Sequence, residues 1–269
     1  MNVEKKYNFL DDKICELLSQ MTQEAGLKES LLLKYYSAEN RFDIHSDDTT
    51  LKAINERLVY SIQNRNMMPS VIKYSTRRNL MAKAWFDFDP KKIVEAEYQS
   101  ENDLYQSLCG ICDLPVSPSR LWIVFCKGVL SSSRFFSRFY DENHIRVVFD
   151  DFQRNEWTKV ALPTLLAKEI DGIQFALACD FLKEIGYDYP KPDVHIMDFV
   201  GCLSPNENIT DLFAFKEIFK ISEILSKGRK ISAYQLDKMI WLICSGNFYL
   251  DGVIVPSRKK SLCNYLQNL

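Results

Sequence analysis

An aspartate that follows two prolines is the first candidate for chemistry in this sequence. The segment "GYDYPKPDVHIMDF" ends an apolar run at Gly186, crosses Pro190 and Pro192, and places Asp193 where the next apolar run begins. A carboxylate fixed at such a corner can stabilise a positively charged transition state and orient or deprotonate a water. Aspartate is also among the commonest helix N-caps, so a purely structural role is the alternative. His195, one turn further on, is interpreted as a bystander.

Two helices are predicted immediately before this corner, in "LPTLLAKEI" and "QFALACDFLKEIG". Apolar residues recur at helical spacing in both segments. They are Leu162, Leu165, Leu166 and Ile170 in the first, and Phe175, Ala178, Leu182 and Ile185 in the second. Only Asp171, Gly172 and Ile173 lie between the segments, so the helices must fold back on each other, and the glycine permits the turn.

The rest of the chain is also predicted to be helical. Leu10, Ile14, Leu17 and Leu18, and then Leu51, Ile54, Leu58 and Ile62, follow helical spacing. "IRVVFDDF" is the one convincing β-like run. The predicted class is therefore all-α or nearly so, with two packed helical subdomains and a helix-hairpin-helix motif. We expect a helical region over 1–118 and a second over 119–269, with the subdomains interwoven.

Composition indicates an ordinary globular protein. Of the 269 residues, 46% are hydrophobic and the formal net charge is −2, so contact with nucleic acid must come from a local surface. The eight cysteines lie largely in apolar runs, which favours a reducing, cytoplasmic compartment. The first residues show no apolar signal region, and no apolar run is long enough to span a membrane.

The hairpin, the Gly/Pro break and "PDVHI" together resemble the helix-hairpin-helix base-excision DNA glycosylases, the superfamily that contains the 8-oxoguanine and endonuclease III-like enzymes. Asp193 stands 21 residues after Gly172, close to the family's spacing, and "YQLDKMIWLICSGNFY" resembles its late helix. That segment opens with a Ser232-x-x-Gln235 capping box and ends at Gly246. The likeness covers roughly 119–249. It implies that Asp193 is the catalytic residue of a hydrolase acting on a glycosidic bond in DNA repair.

The chain also departs from the family pattern. Gln174 replaces the second hairpin glycine, and Ala176, or Phe175 in a shifted register, stands where bifunctional members carry a nucleophilic lysine. The resemblance therefore implies a monofunctional enzyme without strand-cleaving lyase activity. The exception left open is a substitute lysine from elsewhere, for which the candidates are Lys168, Lys183 and Lys191.

The resemblance also implies how DNA would be held. The hairpin at Gly172, Ile173, Gln174 and Ala176 is the expected DNA-binding element, with backbone N–H groups that donate to a phosphate. The damaged or modified base must leave the stack, and aromatic rings would line its pocket. The candidates are Trp157, Phe175 and Trp241, with Phe248 and Tyr249 behind them. Two basic runs, "KGRK" at 227–230 and "SRKK" at 257–260, could meet flanking phosphates.

The expected partner is double-stranded DNA with a damaged or modified base, bound by a monomer that does not contact a membrane. No cofactor or metal is expected, apart from a monovalent cation at the hairpin. The "CGIC" run at Cys109–Cys112 has metal or redox spacing but no accompanying ligand pair. The family's iron-sulfur cluster is not expected, because too few cysteines lie in the tail. The alternative function is a catalytically inactive helical DNA-binding or adaptor protein with the same fold.

Overall fold

The protein is all-α in the computed structural model, which describes residues 3–27, 43–65, 67–229, 231–248 and 253–268. The predicted fold class is thus confirmed: these ranges contain 14 α-helices and no strand, only one isolated bridge between Asn247 and Ile254. The helices are α1 Val3–Glu24, α2 Leu51–Gln63, α3 Met68–Ile72, α4 Tyr74–Ala84, α5 Pro90–Glu95, α6 Glu101–Cys112, α7 Arg120–Phe136, α8 Glu142–Asp151, α9 Glu156–Glu169, α10 Phe175–Glu184, α11 Val194–Leu203, α12 Asp211–Arg229, α13 Ala233–Ser245 and α14 Lys259–Gln267. No described helix is long and apolar enough to cross a membrane.

The chain forms two compact units. Unit 1 combines Met1–Arg41 with Tyr187–Leu269, and unit 2 is the continuous stretch Phe42–Gly186. This division differs from the one expected at residue 118, because the first helix joins the last third of the chain. The hairpin belongs to unit 2 and Asp193 to unit 1.

Unit 2 is built around α7. Helices α2, α5, α6 and α9 pack against it, and α10 packs on α9 and α2. Aromatic residues fill the space beside α7, where Trp85, Tyr105, Trp122 and Phe125 are buried with ring centroids 5.5–6.1 Å apart. Rings of this size bury large apolar areas, which stabilises the scaffold that carries the hairpin.

Unit 1 is built around α13. Helices α1, α11 and α12 all pack on it, and α14 packs on α11. The α1 residues predicted to be apolar contacts, Leu10, Ile14, Leu17 and Leu18, are buried as expected. Helix α13 begins and ends as the sequence predicted: Ser232 and Gln235 form the capping box, and Gly246 follows the last turn with φ +70°.

The β-like interpretation of "IRVVFDDF" is wrong. Those residues lie in α8, which begins with Asp141 as N-cap, its carboxylate accepting from the His144 N–H at 2.9 Å. Ile145 and Phe149, four residues apart, are the buried positions, while Val147 is exposed. The helical spacing of the buried pair and the cap outweigh the strand preference of the valines.

Candidate functional site

Asp193 is the N-cap of α11, as predicted, and its two oxygens are used unequally. Oδ1 accepts hydrogen bonds from the backbone N–H groups of His195 and Ile196, at 2.9 and 3.2 Å. Within the described part of the chain no hydrogen bond to Oδ2 is seen, and the residue is half-buried. One oxygen is therefore anchored to the helix, and the other has no hydrogen bond within the described residues.

The corner that holds Asp193 is fixed by contacts within unit 1. The Asp188 carboxylate accepts from the N–H groups of Ala233 and Tyr234, at 3.3 and 2.8 Å, and so caps the start of α13. Tyr189 is fully buried, 5.8 Å from the ring of Phe215. A carboxylate on so constrained a segment loses little conformational entropy when it meets a substrate.

His195, close to Asp193 in the sequence, contacts an aromatic side chain. The ring of His195 lies edge-on to Trp241 with centroids 6.0 Å apart, and its Nδ1 atom is buried without a hydrogen-bond partner. A buried polar atom in this condition is costly, and such atoms are found at sites that take up water or a ligand. Sequence reasoning passed over His195, although its place two residues after the aspartate was the available signal.

Cys244 lies close enough to this corner to respond to its charges. The pKa of the Cys244 thiol is raised to about 12: burial is the largest cause, Lys259 opposes the rise, and the carboxylates of Asp198 and Asp193 add to it. The thiol is therefore protonated at neutral pH and is not a nucleophile.

The hairpin in unit 2 has the turn that the sequence predicted. Helices α9 and α10 pack on each other, and Gly172 between them has φ +79°, a conformation that side chains disfavour. The turn rests on α7: the Asp171 N–H donates to Ser131 Oγ at 2.8 Å, and its carboxylate pairs with Lys127 Nζ at 3.0 Å.

The start of α10 carries no side-chain cap. Gln174 occupies the N-cap position without a capping hydrogen bond, and it is exposed. Of the predicted phosphate-binding residues, Ile173 is buried and its N–H already donates to the Ile170 carbonyl at 3.4 Å, while Ala176 is half-buried. The helix start thus has N–H groups for an anion, with Ile173 the weakest of the expected donors.

The three aromatic candidates for a base pocket differ in exposure and belong to different elements. Trp157 is 74% exposed on α9, Phe175 is half-buried at the start of α10, and Trp241 belongs to unit 1. A surface cavity of about 280 Å³ in unit 2 is lined by none of them. Its lining includes Phe135, Arg138, Phe139, His144, Phe149 and Glu169. Phe248 is buried, and Tyr249 lies outside the described residues.

The candidate lysines differ in their surroundings. Lys183 is buried in α10, and its Nζ pairs with the Asp180 carboxylate at 3.2 Å. Lys168 is exposed on α9, whereas Lys191 is the candidate within unit 1 and its carbonyl accepts the Asp193 N–H at 2.7 Å. An amine must be deprotonated to attack a sugar, so the buried ion pair disfavours Lys183 as a nucleophile.

In the second of the two basic runs, two of the three cations form ion pairs. Arg258 pairs with Glu24 and Lys259 with Asp198. In the first, the side chains of 227–230 lie outside the described part of the structure.

Two of the cysteines are joined. Cys202 at the end of α11 and Cys263 in α14 form a disulfide, a pairing that the sequence did not predict. Cys109 and Cys112 lie on α6 with free thiols. No group of three or more His, Cys, Asp or Glu side chains in the described ranges could hold a metal ion.

No protein family profile and no curated protein matches the sequence. One solved structure is similar in outline, that of the Methanocaldococcus jannaschii 8-oxoguanine glycosylase/lyase in complex with a 15mer DNA containing 8-oxoguanine. The two share 18% identity over 90% of this chain and 96% of that chain, with a TM-score of 0.43. A score below 0.5 does not establish a common fold, so the function proposed below depends on the geometry of the site.

Proposed function

We infer that the protein is a DNA N-glycosylase that hydrolyses the bond between a damaged or modified base and its sugar, with Asp193 as the catalytic residue. The observation that carries this proposal is the unequal use of the Asp193 carboxylate. Oδ1 is fixed by two backbone N–H groups, and no hydrogen bond to Oδ2 is seen in the described part of the chain. The order of hairpin, break and aspartate along the sequence supports it.

The proposed chemistry requires one well-placed carboxylate. As the C1′–N bond breaks, its electron pair leaves with the base, which takes up a proton, and positive charge develops on the sugar. The Asp193 carboxylate stabilises that charge and accepts a proton from the water whose oxygen bonds to C1′. Because the backbone already holds Oδ1, little reorganisation is needed when the charge appears.

The hairpin supplies the proposed contact with DNA. The uncapped start of α10 leaves backbone N–H groups and the positive end of the helix dipole for a phosphate. The hairpin turn suits a monovalent cation less well than the start of α10 suits a phosphate. The Ile170 carbonyl already accepts the Ile173 N–H, and the Asp171 carbonyl lies so close to α7 that a Cβ on Gly128 would be 3.0 Å from it. No step of the reaction requires a cation.

Absence of lyase activity is the finer part of the proposal. Ala176 stands at the position of the family's lysine, and Lys183 is held in a buried ion pair. Without an amine nucleophile no Schiff base with the sugar forms, and the product is an intact strand with an abasic site. We further propose that the protein acts as a monomer in the cytoplasm.

The second candidate is an inactive DNA-binding or adaptor protein. Gln174 in place of a glycine and Ala176 in place of a lysine favour it, as does the internal partner of the Ile173 N–H. It predicts DNA binding without release of any base.

A panel of duplex oligonucleotides, each with one lesion or modified base, tests the proposal. We expect one class of duplex to acquire an abasic site that is cleaved only after alkali, and no covalent complex on treatment with borohydride. Strand cleavage without alkali, or borohydride trapping, would contradict the monofunctional assignment. Binding without base release across the panel would favour the adaptor.

A further inference from the structure

Four cationic residues form a stripe along one side of α7. Arg120, Lys127 and Arg134 are spaced by seven residues, and Arg138 follows four residues later, just after the helix. An ideal helix drifts only about 20° per seven residues, so the three side chains within α7 share one face, and Arg138 lies in the turn that follows the helix. All four are exposed. We call them the α7 basic stripe.

The helix that carries the stripe contains no aspartate or glutamate over its 17 residues. In the whole chain acidic residues outnumber lysines and arginines, 36 to 34. Two other described helices with cations, α4 and α14, also lack acidic residues, but they have 11 and 9 residues, so α7 is the longest such helix in the described ranges.

The hairpin lies directly beside the stripe. Its contacts on α7 fall at neighbouring positions: Ser131 accepts the Asp171 N–H, and a Cβ on Gly172 would be 3.6 Å from Val124. At Gly128 a Cβ would stand 3.0 Å from the Asp171 carbonyl, so glycine permits this close approach. The stripe therefore continues the surface on which the α10 N-terminus opens.

Two of the four cations in the stripe form ion pairs with carboxylates in or next to the hairpin turn. Lys127 pairs with Asp171 at 3.0 Å, and Arg138 pairs with Glu169 at 2.6 Å. No ion pair or side-chain hydrogen bond to another described residue is seen for Arg120 or Arg134. These two arginines are 14 residues apart in sequence, about 21 Å along the helix.

We propose that the α7 basic stripe binds the phosphates of a DNA strand and extends the contact made by the hairpin. A duplex carries one phosphate per strand for about every 3.4 Å of its axis, so a helix laid along that axis would cover about six base pairs between Arg120 and Arg134. The planar guanidinium suits phosphate better than a lysine ammonium does. Although the net charge of the chain is close to zero, its sequence-independent contacts with phosphates are then concentrated on one helix. This inference rests on the proposed binding to DNA.

The test measures affinity for an unmodified duplex as a function of salt, which needs no base excision. In the full-length Arg120→Gln/Arg134→Gln variant, the slope of log K against log salt should become less steep by about 0.9 for each arginine. Lys83→Glu is the control, an exposed cation on α4, which packs on α6. Glu169→Gln removes the carboxylate beside Arg138 and should tighten binding. Circular dichroism verifies the helical content of each variant.

The proposed role of the stripe is overturned if the double variant and the unaltered protein have the same salt slope and the same affinity for duplex. It is also overturned if Lys83→Glu loses as much affinity as the double variant does. Base release by the unaltered protein is scored separately, so a DNA glycosylase without the stripe is distinguishable from a protein that is no glycosylase. If the unaltered protein fails to bind duplex at low salt, the stripe is overturned even where base release from single strands is found.

Discussion

Two helices of this protein begin in opposite ways. Helix α11 begins with Asp193, whose carboxylate accepts two backbone N–H bonds, whereas α10 begins with Gln174, whose side chain accepts none. Both starts carry the partial positive charge of a helix N-terminus. The first is filled by the protein's own anion, and the second has no side-chain cap. The difference separates the proposed chemical role of unit 1 from the proposed binding role of unit 2.

The largest effect is expected when the charge of Asp193 is removed and its cap is kept. Asparagine caps a helix about as well as aspartate, so Asp193→Asn should fold normally. Loss of the carboxylate should lower the single-turnover rate of abasic-site formation by about 10² to 10⁴-fold or more, with DNA affinity retained.

The matched control for that experiment is Asp198→Asn on the same helix, where the carboxylate pairs with Lys259. Its rate should stay within a few-fold of the unaltered protein. Equal losses in both variants, or an unchanged rate in Asp193→Asn, would show that Asp193 is only a cap.

A second prediction concerns the start of α10, where a substitution can supply the missing side-chain cap. Gln174→Asp places a carboxylate at the N-cap of α10, and we expect the free energy of unfolding to rise by about 1 kcal/mol. The same charge repels a phosphate, so affinity for duplex DNA should fall about tenfold, equivalent to about 1.4 kcal/mol.

Gln174→Ser separates the two effects, since a hydroxyl caps the helix without adding charge. Its melting temperature should rise similarly while its affinity for DNA falls less. Tighter binding by Gln174→Asp than by the unaltered protein would refute a phosphate site at this helix start.

A third prediction concerns the turn itself, where the effect is on stability alone. Gly172 has φ +79°, and a Cβ added there would meet its neighbours at ordinary contact distances, so Gly172→Ala introduces backbone strain without a clash. We expect a loss of about 1 to 2 kcal/mol in the free energy of unfolding, measured by denaturant titration.

Gly110→Ala is the counterpart in a helix interior. That glycine lies in α6 with nothing within 4 Å of a Cβ, so alanine should stabilise the protein by about 0.5 to 1 kcal/mol. A gain at both positions would mean that the hairpin does not hold the positive φ.

Local signals predicted much of the fold and of the aspartate site. The cap at Asp193, the turn at Gly172 and the capping box at Ser232 follow from residue types within four positions of each other. The β-like interpretation of "IRVVFDDF" failed because its valines were weighed without the cap at Asp141. Side-chain surroundings were less accessible, as the disulfide between Cys202 and Cys263 shows.

The sequence by itself determined which segments are helical, where they begin, and that an aspartate stands at a proline-broken corner. Only the tertiary structure decided what surrounds that aspartate and which cations lie beside the hairpin. Asp188 reaches Tyr234, His195 reaches Trp241, and the Asp171 turn lies on α7. The physical reason is that caps and turns are set by neighbours along the chain. Packing instead joins residues 40 or more positions apart, whose contacts depend on how all the helices fit together.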